Sequence, residues 1–224
     1  MKKLYIIGAA GFGKEVAWIV EEINKKKKEW EIIGFIDDNN DLIGTNQNGY
    51  NVLGNVEYLC DISDDIWVVC TIGDTTNKKK IIERISNIVN IHFATIIAPT
   101  AIVPPTVDIG EGTVIASASV LSVNVMVGAH VSINMGCTIG HDTRVEDYVT
   151  IRPGADIAGN VVIGKCADIG IGAKIIQNIK VCEGSLIGGG AMVIKDILKF
   201  QTVVGVPARP IKEIGNKVRV KNLC

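Results

Sequence analysis

Apolar residues recur at every sixth position through the second half of the chain. From residue 97 to residue 193, each sixth residue is isoleucine, valine or leucine. These residues are Ile97, Val103, Ile109, Ile115, Leu121, Val127, Ile133, Ile139, Val145, Ile151, Ile157, Ile163, Ile169, Ile175, Val181, Ile187 and Val193. An α-helix repeats every 3.6 residues and a strand every two, so neither alone produces this spacing. The pattern therefore predicts an internal structural repeat.

A period of six is typical of a three-sided column. If each hexapeptide is a short strand followed by a corner, three hexapeptides close one coil. The apolar residue then points inward, and equivalent side chains stack about 4.8 Å apart from coil to coil. Small or β-branched residues such as Thr113, Cys137 and Ala155 follow four places later and suit the tight corners. Residues 97–193 would form roughly five such coils.

The first part of the chain has a different pattern. Short apolar runs at 4–7, 31–36 and 67–72 predict buried strands, and helical spacing of apolar residues predicts helices over 14–23 and 78–88. Strands that alternate with helices indicate a parallel α/β sheet. We therefore expect an α/β domain over 1–93, the column over 94–200 and a C-terminal segment over 201–224.

Charge and composition exclude several classes of protein. Lys and Arg number 23 and Asp and Glu 24, and the net charge of −1 leaves no overall positive field for nucleic acid. No apolar run is long enough to span a bilayer, and the N-terminal segment is broken by glycines, unlike a signal peptide. The six cysteines have no CxxC spacing, which is typical of reduced thiols. We expect a cytoplasmic protein with no nucleic-acid partner and no membrane span.

His141 is the candidate for acid–base chemistry. It lies two residues after the stacked Ile139, at a corner where its ring would point outward, and Asp142 follows it. A histidine can accept a proton near neutral pH, and an adjacent carboxylate can fix its tautomer. Gly159 lies one predicted coil further on, where the missing side chain would let a ligand approach and its N–H could face an oxyanion. His92 is expected to be a structural or surface histidine, and His130, at a corner after Val127, a capping or solvated side chain.

A glycine-rich turn follows the first predicted strand. Gly8, Gly11 and Gly13 stand between a strand and a helix, and Asp37 lies at a plausible distance for contact with a ribose. The spacing is not GxGxxG, and the domain is only half of a doubly wound (Rossmann) fold. A pocket for one nucleotide sugar fits better than one for NAD, and a purely structural turn is the remaining alternative.

The motifs as a set resemble a known family. They occupy residues 6–16, 34–38, 72–74, 133–142, 153–155, 158–161, 187–191, 195–196 and 204–209. They look like those of the bacterial sugar acetyltransferases of the sialic acid O-acetyltransferase family, which include enzymes that N-acetylate UDP-linked 4-amino sugars. The resemblance implies a half-Rossmann domain followed by a left-handed parallel β-helix, and acetyl-CoA as co-substrate. It also implies a homotrimer with active sites between subunits.

The resemblance assigns roles to individual residues. It implies that His141 is the general base and Asp142 its acidic partner, and that Asn134 lies near the acceptor sugar. It places the acetyl-CoA groove at Gly159, Gly189 and Arg209. For the nucleotide sugar it implies Gly8, Gly11, Gly13 and Gly73 near phosphate or sugar, with Asp37 and Asp38 near base or ribose.

The chain departs from the family pattern at four positions. Phe12, Ala98 and Thr150 stand where the family often has histidine, and Lys78 replaces a frequent arginine. We expect Phe12 to alter nucleotide contacts and Thr150 to alter contacts with the acyl donor.

The leading hypothesis is acetyl transfer from acetyl-CoA to the amino group of a nucleotide-linked sugar, with no metal ion. O-acetylation of sialic acid or a related sugar is the alternative within catalysis. Cys137 could carry an acyl group only if it did not point inward. A zinc carbonic anhydrase would need three converging histidines, which the spacing disfavours. A non-catalytic scaffold that binds a sugar nucleotide is the hypothesis from another class.

Overall fold

The computed structural model describes residues 1–213. The N-terminal part contains β1 (Lys2–Ile7), α1 (Gly11–Lys26), β2 (Trp30–Ile36), β3 (Asn46–Gln47), β4 (Tyr50–Gly54), β5 (Ile66–Cys70), α2 (Thr75–Ile85) and β6 (Ile91–Phe93). The strands form one sheet in the order β3-β4-β2-β1-β5-β6, parallel except for the β3–β4 pair. The predicted α/β class is confirmed, and α1 and α2 both begin three residues earlier than predicted.

Alternation along β1 explains why helices cover both faces of this sheet. Leu4 and Ile6 pack on one side with Val16 and Val20 of α1. Tyr5 and Ile7 point to the other side, into a cluster with residues of α2. Because each strand side is buried, the apolar runs are nearly continuous, as expected for a parallel sheet.

The column consists of two-residue strands. They are β7 (Ile96–Ile97), β8 (Asp108–Ile109), β9 (Val114–Ile115), β10 (Val120–Leu121), β11 (Met126–Val127), β12 (Ser132–Ile133), β13 (Thr138–Ile139), β14 (Arg144–Val145), β15 (Thr150–Ile151), β16 (Asp156–Ile157), β17 (Val162–Ile163), β18 (Asp168–Ile169), β19 (Lys174–Ile175), β20 (Lys180–Val181), β21 (Leu186–Ile187) and β22 (Met192–Val193). Longer strands β23 (Gln201–Val204) and β24 (Arg209–Glu213) follow. Residues 214–224 of the predicted C-terminal segment lie outside the described residues.

The strands stack into three sheets, one for each face of the column, and all pairs are parallel except β23–β24. Face 1 contains β7, β9, β12, β15, β18, β21, β23 and β24; face 2 contains β10, β13, β16, β19 and β22; face 3 contains β8, β11, β14, β17 and β20. Ile133 pairs with Ile151, and Ile139 pairs with Ile157, so one coil is eighteen residues. From Ile115 onward the sixth-position residues are buried inside. This confirms the parallel β-helix of hexapeptide repeats.

The α/β domain packs on face 1. A single apolar cluster joins Val16 and Val20 of α1 to Ala98 and Val114 of the column. Ala98 is 2% exposed, so the small side chain at this departure from the family pattern lies in a closed junction. The outward side chains of face 1 are therefore buried at Ile96, Val114, Ser132 and Thr150, whereas Leu186, further along the same face, is exposed. Within residues 1–213, no helix combines the length and apolar character needed to cross a membrane.

Candidate active site

His141 lies at the corner between face 2 and face 3. β13 ends at Ile139, Gly140 begins the turn, and the imidazole is 62% exposed. His141 lies beyond the end of β13, in the corner before β14 (Arg144–Val145), so the strand's alternation no longer applies and the turn directs the ring outward. The corner position that the sequence predicts is therefore the observed one.

Asp142 holds one nitrogen of the His141 ring. Asp142 Oδ2 lies 2.8 Å from His141 Nδ1, and its Oδ1 accepts a hydrogen bond of 3.0 Å from Asn124 Nδ2. The Asn124 amide, followed by the His141 ring, lowers the pKa of Asp142. Because the ionised carboxylate can only accept, Nδ1 carries the proton and Nε2 presents a lone pair. The arrangement suits proton removal by Nε2.

Asn124 belongs to a stack of four side chains, at one corner of the column, that the sequence analysis missed. Asn124, Asp142, Asn160 and Asn178 stack one coil apart, each with φ between 58° and 62°. Asparagine and aspartate tolerate this left-handed backbone better than most residues. Their recurrence every eighteen residues was a signal available in the sequence, and Asp142 is the only carboxylate among these four.

Gly159 makes room for the His141 ring. A Cβ at Gly159 would lie 2.6 Å from His141 Nε2 and 2.7 Å from Cε1. The space at Gly159 is thus occupied by the imidazole itself, a more specific use than the ligand approach that we expected. Among residues 1–213, the Gly159 N–H has no hydrogen-bond acceptor. A donor therefore remains unused next to the base.

A groove of about 500 Å³ runs along face 2 beside this corner. It is lined by Thr138, Asp156, Ile157, Ala158, Lys174, Ile175, Ile176, Gln177 and Met192. Thr138 donates to Asp156 at 2.8 Å, and Lys174 forms an ion pair with the same carboxylate. Gly159 lies at the His141 edge of face 2 and Gly189 at the opposite edge. The two glycines thus flank the groove in different coils.

Two predicted site residues lie away from His141 within one chain. Asn134 stands at the corner between faces 1 and 2, is 9% exposed, and donates its amide to the Ile151 carbonyl at 2.8 Å. Arg209 begins β24 at the far end of face 1, where its guanidinium donates to the Ala208 carbonyl. β13 separates Asn134 from His141, and several coils separate Arg209 from it.

The predicted nucleotide pocket lies at the carboxyl ends of β1, β2 and β5, where open α/β sheets bind ligands. Gly8 has φ +105°, and Gly13 packs so closely that a Cβ would lie 1.9 Å from the Gly8 carbonyl oxygen. Gly11 faces open space. The geometry of the turn itself therefore requires glycine at positions 8 and 13, which agrees with the alternative of a structural turn. Gly11 leaves open space on the surface of the turn.

Both aspartates after β2 are engaged with the protein. Asp37 accepts from the N–H groups of Ala9 and Asn39 at 2.8 and 2.9 Å. Asp38 accepts from the Val56 N–H at 3.0 Å and pairs with Arg84 at 3.2 Å. These carboxylates hold the loops of the pocket in place.

An adjoining crevice of about 350 Å³ carries basic groups that the sequence analysis did not single out. Its lining is Ile7, Ile36, Asp37, Asp38, Val56, Ile72, Asn77, Lys80, Ile81 and Arg84. Lys80 and Arg84 are four residues apart on α2, so they share one side of the helix. Gly73 lies outside this lining, with Arg152 Nη1 4.0 Å from the position of its missing Cβ.

The structure corrects two expectations about the column. His130 is 5% exposed and packs between Phe93 and Tyr148, and its Nδ1 has no hydrogen-bond partner in the described part of the chain, so it is not solvated. Burial is the main cause that lowers its pKa to about 4. Thr150 is 1% exposed under the α/β domain, so it does not face an acyl donor in this chain. His92 is exposed and pairs with Asp65, as expected.

The other candidate chemistries find no support in the described part of the chain. Cys137 is fully buried, and burial raises its pKa to about 11, so its thiol is not an available nucleophile. Residues 1–213 contain no group of three or more His, Cys, Asp or Glu side chains arranged to hold a metal ion.

Comparison with known proteins defines the class. Residues 3–85 match the family model described as the PglD N-terminal domain. The acetyltransferase domain of PglB from Neisseria gonorrhoeae FA1090 is 30% identical over 94% of this chain and 100% of that chain, with a TM-score of 0.87. The structure of this domain in complex with acetyl coenzyme A is 31% identical over 94% of this chain and 99% of that chain, with a TM-score of 0.86.

A third structure shares the fold. PerB from Caulobacter crescentus, in complex with CoA and GDP-perosamine, is 24% identical over 95% of this chain and 98% of that chain, with a TM-score of 0.83. A search of curated protein sequences gives no match. The fold is that of a hexapeptide-repeat acyltransferase. The chain belongs to the sugar acetyltransferase family that includes the PglB acetyltransferase domain.

Proposed function

We propose that the chain transfers the acetyl group of acetyl-CoA to the amino group of a nucleotide-linked sugar, a UDP-4-amino-4,6-dideoxy sugar. Membership of the sugar acetyltransferase family supports the reaction class, and the PglB domain has been solved with acetyl coenzyme A. The observation that carries the mechanism is the exposed His141 ring, with Nδ1 held by Asp142 and Nε2 against Gly159, the residue after Ala158 of the face 2 groove.

His141 acts as the general base. The sugar nitrogen attacks the thioester carbonyl, and a C–N bond forms while Nε2 accepts the proton from nitrogen. The C–S bond then breaks, and the leaving thiolate takes the proton to give the CoA thiol. Asp142 stabilises the charged ring between these steps, and the Gly159 N–H is the candidate donor to the oxyanion.

The two substrates occupy separate surfaces. Acetyl-CoA lies along face 2, between the edges marked by Gly159 and Gly189. The nucleotide sugar occupies the end of the α/β sheet near Gly8, Gly11, Gly13 and Gly73. There the basic side chains of Lys80 and Arg84 complement a diphosphate, and Asp37 and Asp38 shape the pocket.

A homotrimer completes the site in this proposal. Asn134 and Arg209 lie away from His141 in one chain, so they join it only if a neighbouring copy supplies them. Cyclic symmetry would place face 2 of one copy beside the next and repeat the site three times. We place the reaction in the cytoplasm, in keeping with the free thiols of Cys60, Cys70, Cys137, Cys166 and Cys182.

Parallel assays with two acceptors test the proposal. Purified protein and acetyl-CoA are incubated with UDP-4-amino-4,6-dideoxyglucose or with free sialic acid. Release of the CoA thiol is followed, and the product is identified by mass spectrometry. An N-acetylated UDP-sugar supports the proposal. O-acetylated sialic acid as the sole product would replace it with the alternative reaction, and no transfer to either would remove the acceptor assignment.

A further inference from the structure

Lys78 is a fully buried cation at the junction of the two parts of the chain. It lies one turn into α2, and its side chain has no exposed surface. Lysine is almost never fully buried unless its charge is compensated. No ion pair compensates Lys78 among the described residues. Its ammonium must therefore be stabilised by other polar groups.

The β-helix supplies those groups. Lys78 Nζ donates to Ser132 Oγ at 2.9 Å and Thr150 Oγ1 at 3.0 Å, and it lies 3.2 Å from the carbonyl oxygens of His130 and Val149. Ser132 and Thr150 are register partners on adjacent strands of face 1. An ammonium group is suited to several converging oxygen acceptors because it carries three donors.

These acceptors are specific to this place on face 1. Val114, one coil before Ser132, fills the equivalent outward position with an apolar side chain that is also fully buried. Apolar packing is therefore sufficient to cover face 1 in the preceding coil. The hydroxyl groups occur where Lys78 reaches them, and the two departures from the family pattern at residues 78 and 150 thus contact each other.

The contact links the two proposed substrate surfaces. Asn77, Lys80, Ile81 and Arg84 of α2 line the crevice at the end of the sheet. From the same helix, Lys78 reaches the coil that contains Ser132, and His141 follows nine residues later in that coil. Helix α2 therefore lies between the crevice and the coil that carries the base.

We propose that Lys78 is a positioning residue for acetyl transfer, whose hydrogen bonds hold α2 and the nucleotide-sugar crevice in register with the coil that carries His141. This inference rests on the proposed function for its effect on turnover, but not for its effect on the junction. Directional hydrogen bonds define a register that apolar contact alone leaves adjustable. Because reacting groups must align closely, a small shift of α2 is enough to slow transfer.

Three variants test the role. Lys78→Met removes the ammonium group and leaves the acceptors unpaired. The triple variant Lys78→Met, Ser132→Ala, Thr150→Val also removes both hydroxyls, which relieves the penalty of burying them without a donor. Lys79→Met is the matched control, because Lys79 is the next residue of α2 and its exposed side chain pairs only loosely with Glu83, at 3.8 Å.

The kinetic readout separates positioning from stability. In both Lys78 variants, we expect kcat with UDP-4-amino-4,6-dideoxyglucose to fall about tenfold or more, with KM for acetyl-CoA unchanged. The melting temperature should drop in the single variant and recover towards wild type in the triple variant. The Lys79 variant should match wild type. Recovery of turnover together with the melting temperature in the triple variant would overturn the positioning role.

Hydrogen–deuterium exchange gives a second readout that needs no activity. Faster exchange in α2 and in residues 130–150 is expected in both Lys78 variants, with no change in the Lys79 variant. If wild-type protein transfers no acetyl group, the proposed function fails. The exchange measurements then remain as the test of the role of Lys78 at the junction. Unchanged exchange in the Lys78 variants would overturn the inference whatever the activity.

Discussion

The imidazole of His141 lies against Gly159, one coil further along the column, where a Cβ would come within 2.6 Å of Nε2. No other residue type fits at position 159 without moving the ring or the backbone. The geometry of the candidate base thus depends on a residue eighteen positions away that contributes no side chain.

Gly159→Ala should therefore slow acetyl transfer. Gly159 is not among the glycines with positive φ, so alanine introduces a steric effect with little backbone strain. Because the exposed ring can swing outward to relieve the contact, we expect a small change in melting temperature and a fall in kcat of roughly tenfold or more. Lys195→Ala, at the same corner two coils further on, is the control. Wild-type kcat in Gly159→Ala would show that the ring position is unimportant.

The Asn124 amide should influence how Asp142 titrates. The hydrogen bond from Asn124 is the first cause of the lowered pKa of Asp142, so Asn124→Gly should raise that pKa towards its ordinary value. Asp142 then protonates at a higher pH as acid is added, and the acidic limb of the activity profile shifts upward. Glycine is chosen because it tolerates the positive φ of this position.

The chain offers a matched control for this change. Asn178 has the same backbone conformation in the same stack, and its partner is Asn160. Asn178→Gly should leave both the Asp142 titration, followed by carboxyl carbon NMR, and the pH profile unchanged. Since the pair is exposed, the loss of kcat in Asn124→Gly should not exceed about fivefold. Equal shifts in both variants would contradict a specific role for Asn124.

His130 should make the fold sensitive to acid. Its folded-state pKa, about 4, lies below the ordinary value of 6.5. Between these values the unfolded chain binds a proton that the folded chain does not, so stability falls as the pH drops from 6.5 to 4. The full decrease in the free energy of unfolding that His130 causes is about 3 kcal/mol. The free energy of unfolding is measured with urea at intervals from pH 7 to pH 4.5. In His130→Asn it should fall less with decreasing pH than in the wild type. An unchanged pH dependence would assign the acid sensitivity to other groups.

In the glycine turn after β1, substitution by alanine should affect the stability of the fold very differently at Gly13 and at Gly11. Gly13→Ala places a Cβ 1.9 Å from the Gly8 carbonyl oxygen and should destabilise the fold by roughly 1–3 kcal/mol. Gly11→Ala meets no atom within 4 Å and should leave the melting temperature unchanged or slightly higher. Equal melting temperatures for the two variants would contradict the close approach of α1 to β1.

The column could be predicted from the sequence because its repeat is local. Six-residue spacing determines which residues point inward, and a coil of eighteen residues places Gly159 beside His141. The same reasoning could have identified the stack that contains Asn124 and Asp142. Each of these relationships follows from counting along one regular structure.

What could not be predicted depends on which face the α/β domain covers. His130 and Thr150 occupy outward positions of the repeat, and both would be solvated on an uncovered column. They are buried because the domain packs on face 1, a choice that hexapeptide spacing does not encode. The buried contacts of Lys78 could not be predicted either, since its acceptors lie more than fifty residues away in sequence.

Turnover of the His141→Ala variant tests the central claim most directly. CoA release and N-acetyl product are measured with acetyl-CoA and UDP-4-amino-4,6-dideoxyglucose, and circular dichroism and the melting temperature verify the fold. With an exposed side chain removed, we expect the fold to be intact and kcat to fall by about 10²- to 10⁴-fold. Near wild-type turnover in the folded variant would contradict the assignment of His141 as the base.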